Sequence, residues 1–236
     1  MEKMLKVAKY QLRDLRSSIF IYYLAIISIG LLFITVAIRN QPSGETHFGG
    51  ATSIFIFIVG LNCFKGSFKF MQANNVSRKS FHLGTIIAII SISAIMSIVD
   101  IAIDHVLSQY ITTSGMFDQT YRVYTGNWFL SKGLWNLALY TFATSAGYLI
   151  TMIYYRANTL MKVVTSIIPI VVIMLFTYAS RLTNGSFVLS IQKFLVMALG
   201  LGGSQNPFAA VVTFSIGSII ILSIGYLLIF RAPIKE

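Results

Sequence analysis

The chain has 236 residues, of which 56% are hydrophobic and only 11% charged, with a net charge of +11 and a mean hydropathy of +0.77. Soluble domains carry about 25% charged residues, so this composition excludes a soluble globular protein and points to an integral membrane one. The cations sit at the ends of apolar segments rather than along one face, which excludes a nucleic-acid surface, and the single cysteine, Cys63, excludes an internal disulfide.

Residues 1–16 have the pattern of an amphipathic helix lying in the membrane interface. At 100° per residue Met1, Met4, Leu5, Ala8, Leu12 and Leu15 share one arc, and Lys3, Lys6, Lys9, Arg13 and Arg16 fill the adjoining one. The apolar run that follows lacks the small-residue cleavage site of a signal peptide, so the segment is expected to be retained. The first span is Ser17–Ile38, long enough because about 20 residues at 1.5 Å rise cross a ~30 Å hydrocarbon core. Arg39-Asn-Gln-Pro-Ser-Gly44 ends it and opens a short external loop. The second span is predicted from about Phe48 to Phe64.

Lys65–Phe81, KGSFKFMQANNVSRKSF, is a basic elbow with Lys65, Lys69, Arg78 and Lys79 and no acid. Phe64, Phe68 and Met71 recur at helical spacing, so the preceding helix is expected to run on past the membrane with one apolar face. Asn74-Asn75 interrupts that pattern. Ser77 is placed to cap a new helix by accepting from backbone N–H groups two or three residues on. With His82 the elbow closes the segment 65–82, and the third span follows at 83–107.

That third span contains Asp100 and Asp104, one turn apart on one face. Counted from Leu83 they lie ~26 Å and ~32 Å along the helix, near the outer boundary of the core. There they form an outer-interface charge pair able to meet Arg122 or Lys132. The other reading is an exit site on a substrate path, attracting a cationic substrate.

Ser108–Lys132 is polar and aromatic, and its rings are expected at headgroup level on the outer surface. The fourth span, 134–155, carries Ala143 and Gly147, a small-xxx-small pair that lets another helix approach. A brief internal turn, 156–162, precedes the fifth span, 163–179, in which Pro169 should kink the helix. Within the external loop 180–207, residues 187–200 are apolar but too short to span, which suits a re-entrant or interfacial segment. Asn206-Pro207 supplies a cap and a first-turn proline for the sixth span, 208–230. Five of the 18 Lys and Arg, namely Arg39, Arg122, Lys132, Arg181 and Lys193, fall in external segments and thirteen in internal ones. That bias places both termini in the cytoplasm.

The expected architecture is therefore a single all-α transmembrane domain over residues 1–236 with six spans. No GxxxxGK[ST] phosphate loop, HExxH or CxxC motif occurs, His47, His82 and His105 are scattered, and Gly200-Leu-Gly-Gly203 precedes no basic phosphate ligand. No metal site or catalytic group is expected.

The string Gln72-Ala-Asn-Asn-Val-Ser-Arg-Lys-Ser-Phe81, followed at once by a hydrophobic helix, resembles the cytoplasmic loop between the second and third helices of bacterial ABC type-2 exporter permeases. The length, the six spans and the external segment before the last span extend the resemblance over the whole chain. It implies a permease subunit in the bacterial plasma membrane that is not an enzyme by itself. In that family the loop is a coupling helix that docks on a separate ATPase, which implies docking roles for Phe68, Phe70, Met71, Arg78, Lys79 and Phe81. It also implies two cytoplasmic ATPase subunits and a second permease, the same or different, among membrane lipids. ATP and magnesium would bind the ATPase, and no cofactor this chain. An amphipathic peptide, toxin or lipid-like substrate would suit spans with so few polar residues. A non-transporting accessory or immunity subunit is the alternative, and a small intramembrane enzyme is disfavoured because no paired catalytic residues lie at membrane depth.

Overall fold

The computed structural model describes residues 2–40, 49–111, 114–203 and 205–230. Met1, residues 41–48 with the predicted start of the second span at Phe48, Thr112, Thr113, Ser204 and the tail 231–236 lie outside the described residues. Those residues form nine helices and no strand: α1 Glu2–Asn40, α2 Gly49–Asn62, α3 Lys65–Ala73, α4 Arg78–Leu107, α5 Met116–Thr120, α6 Trp128–Arg156, α7 Thr159–Leu182, α8 Ser186–Ala198 and α9 Pro207–Phe230. Six helical stretches are long and apolar enough to cross a membrane, the second made of α2 and α3 together. The chain is all-helical and has the character of a multi-pass membrane protein.

The bundle is built on α4 and α6. Helix α6 packs against α2 on one side and α9 on another, and α4 packs against α1, α6 and α9. Small residues set the closest crossing. A Cβ on Gly147 would fall on the carbonyl of Phe57, and one on Gly60 on the carbonyl of Thr144. Both positions must be glycine for α2 and α6 to meet backbone to backbone, the geometry by which membrane helices gain packing energy without a hydrophobic drive.

Residues 2–16 and the predicted first span form a single helix, α1. It is continuous through residue 16, and at 1.5 Å per residue its 39 residues reach ~58 Å. Its buried stripe is Val7, Ala8, Gln11 and Leu15, while Leu5 is exposed. Met4 and Val7 lie against Gly84, and Gly30 against Leu107, so α1 and α4 run parallel. With Val7 level with Gly84, the apolar run from Ser17 begins ~15 Å further along the bundle than that of α4.

The helix ends follow local chemistry. Asn206 Oδ1 accepts from Phe208 N at 3.0 Å, capping α9 ahead of Pro207. Three helices end alike. The N–H of Val76, Gly185 and Leu201 reaches back five residues to the carbonyls of Met71, Ser180 and Val196, at 3.0, 2.9 and 2.8 Å. In each case the residue before the donor has positive φ: Asn75 at 55°, Asn184 at 47° and Gly200 at 64°. Asn and Gly tolerate that conformation, so these turns close α3, α7 and α8 without strain.

Helix α7 runs through Pro169 and buries none of its residues, touching chiefly α8. In the 108–132 segment the aromatic residues divide between core and surface. Phe117 and Tyr121 are buried with Trp135 and Ala210, whereas Tyr110, Trp128 and Phe129 remain exposed.

Candidate functional site: the elbow and the polar cluster at the far end of α4

The elbow is a helix and a turn. Helix α2 breaks at Cys63-Phe64, and the Gln11 amide donates to the Cys63 carbonyl at that break, 3.1 Å away. The same amide donates to Thr85 Oγ1 at 3.1 Å, so one α1 side chain ties the end of α2 to the start of α4. After the turn at Asn74–Val76, Ser77 Oγ accepts from Ser80 N at 3.2 Å and starts α4.

The structure divides the six residues assigned to docking. Phe68, Met71 and Phe81 belong to the core, where Phe68 meets Phe81 edge to face at 5.3 Å and Tyr155 at 5.8 Å. Each such pair contributes about 0.5–1.5 kcal/mol beyond area burial. These rings fix the elbow to α4 and α6 and are enclosed by protein, so they do not form its outer surface. Phe70 and Lys79 are exposed. The Phe70 ring stacks on Tyr10 at 4.8 Å with an 11° interplanar angle. Lys3 Nζ donates to the Asn75 carbonyl at 3.3 Å, so the amino-terminal segment braces the elbow. Arg78 is committed internally, its Nη1 donating to the Phe230 carbonyl at 2.6 Å, which anchors the end of α9. Lys69, a basic residue of the elbow outside that set of six, is half-buried beside Phe70.

The second polar cluster lies at the other end of α4. Ser97 Oγ donates to the Gly133 carbonyl at 2.9 Å, placing this part of α4 level with the start of α6. Asp100 accepts from Tyr23 Oη at 2.9 Å and from the Tyr140 hydroxyl, and Tyr22 Oη bonds Thr52 Oγ1 at 2.7 Å beside them. Asp104 pairs instead with Lys132, at 2.8 Å. The same ammonium lies 2.8 Å from Asp118 Oδ2 and 4.3 Å from the centre of the Trp128 ring. Asp118 in turn accepts from Trp128 Nε1 at 2.6 Å and from Gly115 N at 2.9 Å. Burial raises the Tyr121 phenol above its ordinary value, keeping it protonated to donate to the Leu199 carbonyl at 2.6 Å.

This arrangement is a staple. Lys132 is buried, and two carboxylates and a ring face neutralise it, the condition under which a buried charge is tolerated. The space between Asp100, Asp104 and Lys132 is about 20 Å³, water-sized rather than ligand-sized. Charge patterning alone does not single out Lys132 over Arg122 as the partner of Asp104. The contribution of Tyr23 and Tyr140 has no local signal either, because it depends on how α1 and α6 face α4. Among the described residues no group of three or more His, Cys, Asp and Glu is placed to hold a metal ion.

No protein-family model matches this chain, and no curated protein or solved structure matches it either.

Proposed function

We propose that the chain is the permease subunit of an ATP-driven exporter in a bacterial plasma membrane, with both termini in the cytoplasm. The observation that carries this reading is the elbow: a short basic helix, closed at its carboxyl end by the turn at Asn75, with its apolar face packed into the bundle, Lys69 half-buried, and Phe70 and the nearby α4 residue Lys79 exposed. A rigid lever of this kind can pass a push from a docked ATPase into α2, α4 and α6, because its rings are packed against those helices. ATP and magnesium would be bound and consumed by that separate ATPase. Helix α7, which no other span covers, is the surface offered to a second permease subunit. The substrate class that suits the apolar spans is an amphipathic peptide, toxin or lipid-like molecule.

The test is co-purification with an ABC ATPase encoded beside this gene. Phe70→Ala and Lys69→Glu should weaken ATPase retention about tenfold or more, since exposed aromatic anchors carry ~2 kcal/mol in typical interfaces. Lys162→Ala, in the shorter internal turn, should leave retention within twofold. Arg78→Glu is a poor probe of docking because it also releases Phe230. Full retention by both elbow variants, with unchanged ATP hydrolysis, would remove the exporter reading's main support.

A further inference from the structure

A lateral groove of about 870 Å³ lies between α4, α6 and α9. It shares only Lys79 with the elbow's exposed face and has no lining residue in common with the Asp104–Lys132–Asp118 staple. Its walls are aliphatic along most of their length, with Ile86, Leu134, Leu137 and Ile219 among them. Three of the hydroxyls that line it are satisfied within their own helices. Thr141, Ser218 and Ser223 each donate to a carbonyl of their own helix, at 2.7, 2.8 and 2.7 Å, and so present their carbon faces. At the elbow end the groove meets a cation, Lys79, which is exposed and among the described residues has no carboxylate paired with it. Along α9 the lining runs from Val211 to Leu227, ~24 Å at 1.5 Å per residue, so one extended hydrocarbon chain fits lengthwise within a ~30 Å core.

We propose that this groove binds one anionic phospholipid, with one of its two acyl chains along α9 and its phosphate on Lys79. The shape and the charge agree. The volume is that of a site for a small amphiphile, and a basic group at the boundary between membrane helices is the usual seat of an acidic headgroup. A helix from a second copy would fill the apolar part but would leave Lys79 without an anion. This assignment does not rest on the exporter reading, since it needs only that the six apolar stretches stand in a bilayer.

The test is native mass spectrometry of the full chain, released from detergent containing equal amounts of phosphatidylglycerol and phosphatidylcholine with the same acyl chains. Phosphatidylglycerol should be retained roughly fivefold over phosphatidylcholine, the ratio that one juxtamembrane cation supplies. Lys79→Ala should bring the ratio near one. Ser215→Trp, which fills the groove, should abolish both adducts, and Lys162→Ala should change neither. A wild-type ratio near one, a preference that survives Lys79→Ala, or a dimer that carries no lipid would overturn the assignment. A phosphatidylglycerol with a photoreactive acyl chain gives a second readout on the wild-type protein, free of any folding defect. Cross-links should concentrate in residues 134–141 and 211–227. An equal yield on the exposed helix α7 would mean nonspecific annular lipid and would also overturn it.

Discussion

Lys132 Nζ lies 2.8 Å from Asp104 Oδ2, joining the end of α4 to the first turn of α6. The ammonium is buried while Asp104 keeps partial access to water, so the two partners are not equivalent. Lys132 serves a second carboxylate, Asp118, at the same distance, and no other cation is paired with either acid among the described residues.

Replacing Lys132 is therefore expected to cost more than replacing either acid. Lys132→Met leaves two partly buried carboxylates facing each other, and the stability loss should approach the ~3 kcal/mol typical of a broken buried pair. Asp104→Asn leaves the Lys132–Asp118 contact in place and should cost less than half as much. Thermal unfolding in detergent, followed by the fluorescence of Trp128 and Trp135, measures both. Equal losses would show that the staple is not organised around the lysine.

The carboxylates themselves are expected to be dispensable for turnover. With a water-sized space between them and each engaged by neighbours, they hold helices together. Asp100→Asn with Asp104→Asn should leave transport, or the stimulation of a partner ATPase, within a few-fold of wild type. Loss of activity in a correctly assembled double variant would restore the substrate-path reading.

The α2–α6 crossing gives a steric prediction. Gly147→Ala or Gly60→Ala drives a methyl into the facing backbone, and each should cost ~1–3 kcal/mol, as overpacking does. Gly66→Ala in α3 meets open space and should be neutral or stabilising by up to ~1 kcal/mol. Urea or thermal midpoints of the three variants decide it, and similar losses at all three positions would contradict the crossing.

Sidedness follows from the charge count and can be read by thiol labelling. Cys63 is buried, so background reaction should be low. Cysteine at exposed Met116 should react with an impermeant reagent added outside intact cells, and cysteine at exposed Asn158 should not. The opposite pattern would invert the proposed topology.

Much of the helical layout was written locally. Runs of about 20 apolar residues, the Asn206-Pro207 start of α9 and the Ser77 cap of α4 depend on neighbours within a few residues. Such signals need no knowledge of the fold. The Asn74-Asn75 interruption is legible for the same reason, because Asn75 adopts positive φ where few residues can.

Local chemistry sets where helices start, stop and have apolar length, since hydrogen bonding and side-chain hydrophobicity act over one or two turns. Which faces meet depends on how the whole helices pack. Gln11 reads as one polar residue in an amphipathic helix, yet it donates to Cys63 and Thr85 across 52 and 74 residues of chain. Phe68 and Phe70 are equally aromatic in the sequence, but one lies in the core and the other outside, because α3 turns a single face to α4 and α6. The parallel register of α1 on α4 was likewise settled by the contact of Val7 with Gly84. Side-chain partners at long separation depend on packing angles and register, and these arise when whole helices are fitted together.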